Sequence, residues 1–114
     1  MKCAFLLVFL GAVFGVLTPR ARSGEPVIPN ARSAAGLFAG TCSSCHGRDG
    51  RAKTFKARLN HARNLSDAEW QGRVSDERIF NSIMNGKGKM PAYGKKFSEP
   101  EIDSLVAYVR GLKK

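Results

Sequence analysis

A chain of 114 residues, 43% of them hydrophobic, has room for one domain. It buries too little apolar surface for a robust core of its own. Lys and Arg outnumber Asp and Glu by 19 to 9, a formal net charge of +10, which favours acidic partners or anionic surfaces. Nucleic acid is disfavoured: the basic residues are scattered, and Trp70 and the Phe and Tyr residues fall at helix-face positions instead of forming a stacking platform.

Residues 1–23 read as an export signal. Lys2 gives a positive start, Ala4 to Leu17 is unbroken apolar or glycine sequence, and Ala21-Arg22-Ser23 offers small residues for cleavage. The run is shorter than the roughly 20 residues that span a bilayer, so a cleaved leader is expected over an anchor. Cleavage removes Cys3 together with Lys2, Arg20 and Arg22, leaving a mature net charge of +7. Export also implies an oxidising compartment. Residues 24–32, with Pro26 and Pro29, form an extended or flexible lead-in to a domain over 33–114.

A first helix is expected from Asn30 or Ser33 to His46, with Ala35, Phe38, Cys42 and Cys45 on its buried face and small Gly36 and Ala39 admitting a second helix. Cys42-Ser43-Ser44-Cys45-His46 is a C-x-x-C-H run. On a helix, positions 42, 45 and 46 share one face, so one turn presents two thiols and an imidazole to the same object. Covalent haem attachment needs that grouping. Three readings compete, one of them a structural disulfide between Cys42 and Cys45. A zinc site would draw on Cys42, Cys45, His46 and His61, but adjacent Cys45 and His46 would have to bind one small ion. A redox dithiol would follow a strand in a βαβ pattern, and no alternating β-branched run precedes Cys42.

Gly47 and Gly50 end the helix, and residues 51–64 read as a basic loop with at most a turn of helix. Ser66 to Glu69 has the pattern of a capping box before a short helix carrying Trp70. Ser75, Asp76 and Glu77 open another, with Ile79, Phe80, Ile83 and Met84 at core spacing and a stop at Gly86. Asn85 to Pro91 is a glycine-rich loop able to lay the Met90 thioether over a flat surface. Ser98 and Glu101 form a second capping box, opening a last helix with Ile102, Leu105, Val106, Val109 and Leu112 on one face and Tyr108 beside it. No strand pair is legible, so the fold class is all-α.

Taken together, Phe38 four residues before Cys42, the C-x-x-C-H run, Gly47-x-x-Gly50, Asn85-Gly86 before Met90-Pro91, and Tyr108 in the last helix resemble the class I c-type cytochromes. These are small single-haem electron carriers, and the resemblance spans the whole mature chain. It implies three to five short helices around one covalent haem c held by Cys42 and Cys45, with His46 and Met90 as axial ligands of the iron. The first and last helices would cross near Phe38 and Tyr108. Met84 and His61 are the other candidates for the sixth position; Met84 lies on an apolar helix face, where packing is the ordinary role of Met. Many relatives carry a Pro near the carbonyl that orients the proximal imidazole, whereas this chain has none between Pro29 and Pro91. His46 must then donate its free N–H to some other acceptor.

With both axial positions filled and no acid–base pair beside them, electron transfer is expected and enzymatic turnover is not. Trp70, Arg51, Lys53 and Lys56 are candidate propionate contacts. Lys87, Lys89, Lys95 and Lys96 form a candidate docking surface for acidic redox partners, giving salt-sensitive, transient association. The expected protein is a monomeric carrier in the periplasm or a thylakoid lumen, touching membranes only through partner complexes or an uncleaved leader. The runner-up is the haem subunit of a dehydrogenase or oxidase complex.

Overall fold

The computed structural model describes residues 32–114, so the leader, its cleavage site and most of the lead-in lie outside the described residues. The elements are α1 (Ala34–Leu37), a π-helical turn (Phe38–Cys42), α2 (Ser43–His46), α3 (Phe55–Asn60), α4 (Ala68–Arg73), α5 (Asp76–Asn85) and α6 (Glu99–Gly111). The first three run on as one rod, so five helical bodies are present among the described residues, without a strand. A single isolated bridge pairs Lys87 with Met90.

The rod starts at Ser33, whose hydroxyl accepts from the Gly36 amide. Its middle is wider than an α-helix because the Ser43 amide donates to the Phe38 carbonyl, five residues back. That bond bypasses the Ala39 carbonyl, and the Ser43 hydroxyl donates to it instead at 2.7 Å. The buried side chains of the rod are Leu37 and Phe38, while Ala35 is exposed, contrary to expectation. The wide turn changes the phase between the start of the rod and the cysteines, so a stripe drawn at constant helical pitch misses Leu37. Gly36 and Ala39 are also exposed and do not mediate the helix contact. The contact with α6 is made by Phe38 and Tyr108, whose ring centroids lie 4.9 Å apart.

The segment expected as mostly loop contains α3. Thr54 caps it by accepting from the Ala57 amide, and its hydroxyl donates toward the Ser44 and Cys45 carbonyls at 3.1 and 3.0 Å. One side chain thus starts α3 and satisfies the free end of α2. The cap of α4 is Asp67, whose carboxylate accepts from the Glu69 and Trp70 amides, and not Ser66. Ser66 is buried and donates to Asn64 Oδ1 at 2.8 Å. Ser75 caps α5 as expected, and Ser98 with Glu101 forms the capping box of α6.

The core joins Leu37 and Phe38 of the rod, Leu65, Ile79 and Ile83, Phe97, and Ile102, Leu105, Val106 and Val109 of α6. Two polar ties fasten the elbow between α4 and α5 to α6. Buried Gln71 donates from Nε2 to the Leu65 and Val109 carbonyls at 2.8 and 2.7 Å. Arg110 donates to the Gln71 and Val74 carbonyls and pairs with Asp76 at 2.6 Å. Arg32 pairs with Glu101 at 3.0 Å and holds the start of the rod to the start of α6.

Replacing Gln71 by Leu keeps the bulk but strips two buried carbonyls of their donor, and a loss of about 1–3 kcal/mol is expected, read from the guanidinium midpoint of unfolding. The side-chain hydrogen bond from Arg32, aided by the Ser98 amide, holds the Glu101 carboxyl below its ordinary range. A depressed carboxyl stabilises the fold above its unfolded pKa and ceases to as pH falls through the folded value. Wild-type stability should therefore drop in acid below the ordinary Glu range, and Glu101→Gln should flatten that part of a pH–melting profile.

Candidate functional site

Among the described residues lies a cavity of about 470 Å³. That is ligand-sized and too large for a packing defect. Its apolar lining comes from every part of the fold: Phe38 from the rod, Leu65, Ile79 and Ile83 from the middle, and Leu105 and Val109 from α6. Cys42, Cys45 and His46 line it from the rod, and Met90 with Pro91 lines it from the loop between α5 and α6.

Each of these side chains is fixed locally. His46 is half-buried at the end of α2, and its Nδ1 lies 2.8 Å from the Arg63 carbonyl. A carbonyl only accepts, so Nδ1 carries the proton and Nε2 keeps its lone pair. Burial pushes the imidazole pKa down, against the opposing pull of that hydrogen bond, and the ring is neutral near pH 7. Arg63 thus supplies the carbonyl that the missing Pro left open. The loop reaches it through two residues in the left-handed region, Ala52 (φ 54°) and His61 (φ 52°), and through a bond from the Ala52 amide to the His46 carbonyl at 2.7 Å.

Cys42 and Cys45 are free thiols. Burial, reinforced by the neighbouring Cys45, raises the Cys42 pKa to about 11, so it is a neutral S–H at physiological pH. The Asn60 amide lies 3.9 Å from Cys45 Sγ, which sets the end of α3 against the second thiol.

Met90 sits in a tight loop closed by paired bonds between Lys87 and Met90, 3.1 and 2.9 Å, with Tyr93 and Gly94 amides bonded to the Ile83 and Met84 carbonyls. Gly86 makes this closure possible: at φ 74°, a Cβ there would meet the Met90 carbonyl oxygen at 2.6 Å and the Ala92 nitrogen at 2.9 Å. Met84 does not line the cavity; it packs against Gly94. His61 lines it but is exposed.

Of the other residues singled out in the sequence, Trp70, Lys87 and Lys89 line the cavity, whereas Arg51, Lys53, Lys56, Lys95 and Lys96 do not. Lys96 instead lies over the Phe97 ring, 5.7 Å from its centroid. Three further cations line it, Arg63, Arg73 and Arg78, none of which the sequence singled out for the site. Helical spacing offered a signal: Arg73 falls three residues after Trp70, and Arg78 and Ser82 sit four apart beside Ile79 and Ile83. Among the described residues no three His, Cys, Asp or Glu side chains are grouped to hold a metal ion. The zinc reading therefore finds no cluster there.

The donor set fits a covalent haem. Two reduced thiols, a neutral imidazole with one nitrogen already engaged, and a thioether all face one apolar cavity edged by arginines. Comparison with known proteins agrees. The family described as cytochrome c oxidase, cbb3-type, subunit III matches residues 29–109. A cytochrome c6 of Rippkaea orientalis is 35% identical over 96% of this chain and 92% of its own. The cbb3-type cytochrome c oxidase subunit FixP of Azorhizobium caulinodans is 34% identical over 74% of this chain, but over only 28% of that longer protein. Among solved structures, the KustC0563 c-type cytochrome superposes with a TM-score of 0.67 at 38% identity, covering 73% of this chain and all of that one.

Because a Cβ at position 86 meets backbone atoms, Gly86→Ala should displace the Met90 loop and cost about 1–3 kcal/mol. Limited proteolysis should show faster cleavage between residues 85 and 94 than in the wild type.

Proposed function

Because the chain belongs to the class I c-type cytochromes, we propose that Cys42 and Cys45 hold its one haem c and that His46 and Met90 are the axial ligands. Its function is electron transfer and it is not an enzyme. The haem supplies a one-electron iron couple. The convergence of Cys42, Cys45, His46 and Met90 on one cavity carries the reading of the site.

The chain's own residues account for the rest. Arg63 fixes the orientation and tautomer of His46 through its carbonyl, leaving Nε2 as the basic nitrogen. Gly86 and the Lys87–Met90 pairing hold the thioether in place. A soft sulfur ligand favours the ferrous state, so the pair sets a higher potential than two imidazoles would. Trp70, Arg73 and Arg78 line the same cavity and are suited to neutralise propionate charge, whereas Arg51, Lys53 and Lys56 do not line it.

The protein serves redox partners. We assign it as a monomeric carrier, cleaved at about residue 23, with a linker to residue 32 and the cytochrome domain over 33–114, working outside the cytoplasm. Haem is attached to such motifs in that compartment. The similarity to an oxidase subunit keeps a second reading, a haem subunit within a larger complex. A stable co-purifying partner would favour it; salt-labile association would favour the carrier.

Met90→Ala should keep the haem attached through denaturing electrophoresis, abolish the long-wavelength methionine–iron charge-transfer band, admit added ligands and lower the potential. An unchanged band would remove Met90 from the assignment, and a colourless mature protein would overturn the reading as a whole.

A further inference from the structure

The core leaves two large apolar side chains outside: Phe55 is 76% exposed and Leu59 is 55% exposed. They stand four residues apart on α3 and so form one patch. Nothing in the packing requires them, since Ala57 is the residue of α3 that is buried. A patch of this kind on a short, highly charged chain marks a contact surface.

Its surroundings specify the partner. From Arg51 to Ser66 the chain carries Arg51, Lys53, Lys56, Arg58 and Arg63 and no carboxylate. Lys89, on the Met90 loop, donates from Nζ to the Leu59 carbonyl at 2.8 Å, which joins that loop to the same rim. The location also matters. Asn60, next to Leu59, touches Cys45, and Thr54, just before Phe55, is bonded to the Ser44 and Cys45 carbonyls. The patch therefore lies against the attachment turn, where an arriving cofactor has a short path, and tunnelling rates fall exponentially with distance.

We propose that the α3 face, with Phe55 and Leu59 at its centre and Lys56, Arg58 and Lys89 on its rim, docks an electron-transfer protein that presents an apolar patch ringed by carboxylates. This rests on the electron-carrier reading above. An apolar centre with a charged rim is the common anatomy of transient interfaces, the rim setting encounter rate and the centre setting lifetime. A protein is favoured over a lipid surface because the patch adjoins Cys45; binding to a membrane would occlude that route.

The partner can be replaced by a surface of known chemistry. Matured holoprotein is placed on gold coated with mixed carboxylate- and methyl-terminated alkanethiols, and on gold coated with carboxylate alone, and electron exchange is measured by voltammetry. Wild type should exchange at least about fivefold faster on the mixed layer, and Phe55→Ser with Leu59→Ser should erase that preference, with visible spectrum and midpoint potential unchanged. Arg58→Glu, which leaves the apolar pair intact, should slow exchange on both layers and weaken its salt dependence. Retention of the preference by the double variant, or exchange unaffected by Arg58→Glu, overturns the proposal. So does binding to phosphatidylglycerol vesicles that is lost in the double variant while the electrode rates stay equal, which would assign the patch to a membrane. Failure of the electron-carrier reading itself looks different: no redox wave and no haem absorbance on any surface.

Discussion

The hydrogen bond between the His46 imidazole and the Arg63 carbonyl is the constraint around which the rest of the molecule is arranged. In the ligand role proposed for His46, a histidine needs one nitrogen deprotonated and aimed, and the other held by an acceptor that does not move. Here that acceptor is a backbone atom seventeen residues away. To deliver it, the chain turns at Gly47 and Gly50, passes through left-handed Ala52, builds α3 and turns again at left-handed His61. The segment that looks least structured in sequence is thus the support of the site. Burial contributes by keeping the ring neutral.

How much was legible follows from what each feature depends on. The C-x-x-C-H run, the caps at Ser75 and Ser98, the glycine stop at 86 and the apolar face of α6 are local patterns, and the structure carries them where the sequence puts them. Ala35 was misplaced because the π-helical turn breaks the constant pitch that a stripe assumes. Asp67 and Ser66 are both good capping residues, and the choice between them was made by Asn64, which engages Ser66. The short α3 gives little periodic signal in six residues, and it presents its apolar pair outward. The cavity arginines were overlooked because charge near a cofactor is a property of three-dimensional placement; Arg63, Arg73 and Arg78 come from three different segments.

The chain separates two kinds of positive charge. Arg63, Arg73 and Arg78 line the cavity. Lys53, Lys56, Arg58, Lys95 and Lys96 are exposed and stand outside it. On the proposed reading the first set serves the redox couple and the second serves encounter, so the net charge of the sequence, read as one number, merges two functions. Lys89 belongs to both, lining the cavity and bonding to the Leu59 carbonyl.

The widened turn ahead of the cysteines gives the interval from Phe38 to Cys42 the character of a phase angle. Each residue in a helix advances the direction of its side chain by about 100°, so dropping one residue between Phe38 and Cys42 would keep a helix yet swing the thiols away from the void or the aromatic ring away from Tyr108. The Ser43 hydroxyl holds that surplus residue in register by engaging the bypassed Ala39 oxygen. Natural length variation in relatives should therefore be tolerated in the lead-in before Ser33 and purged from this five-residue interval.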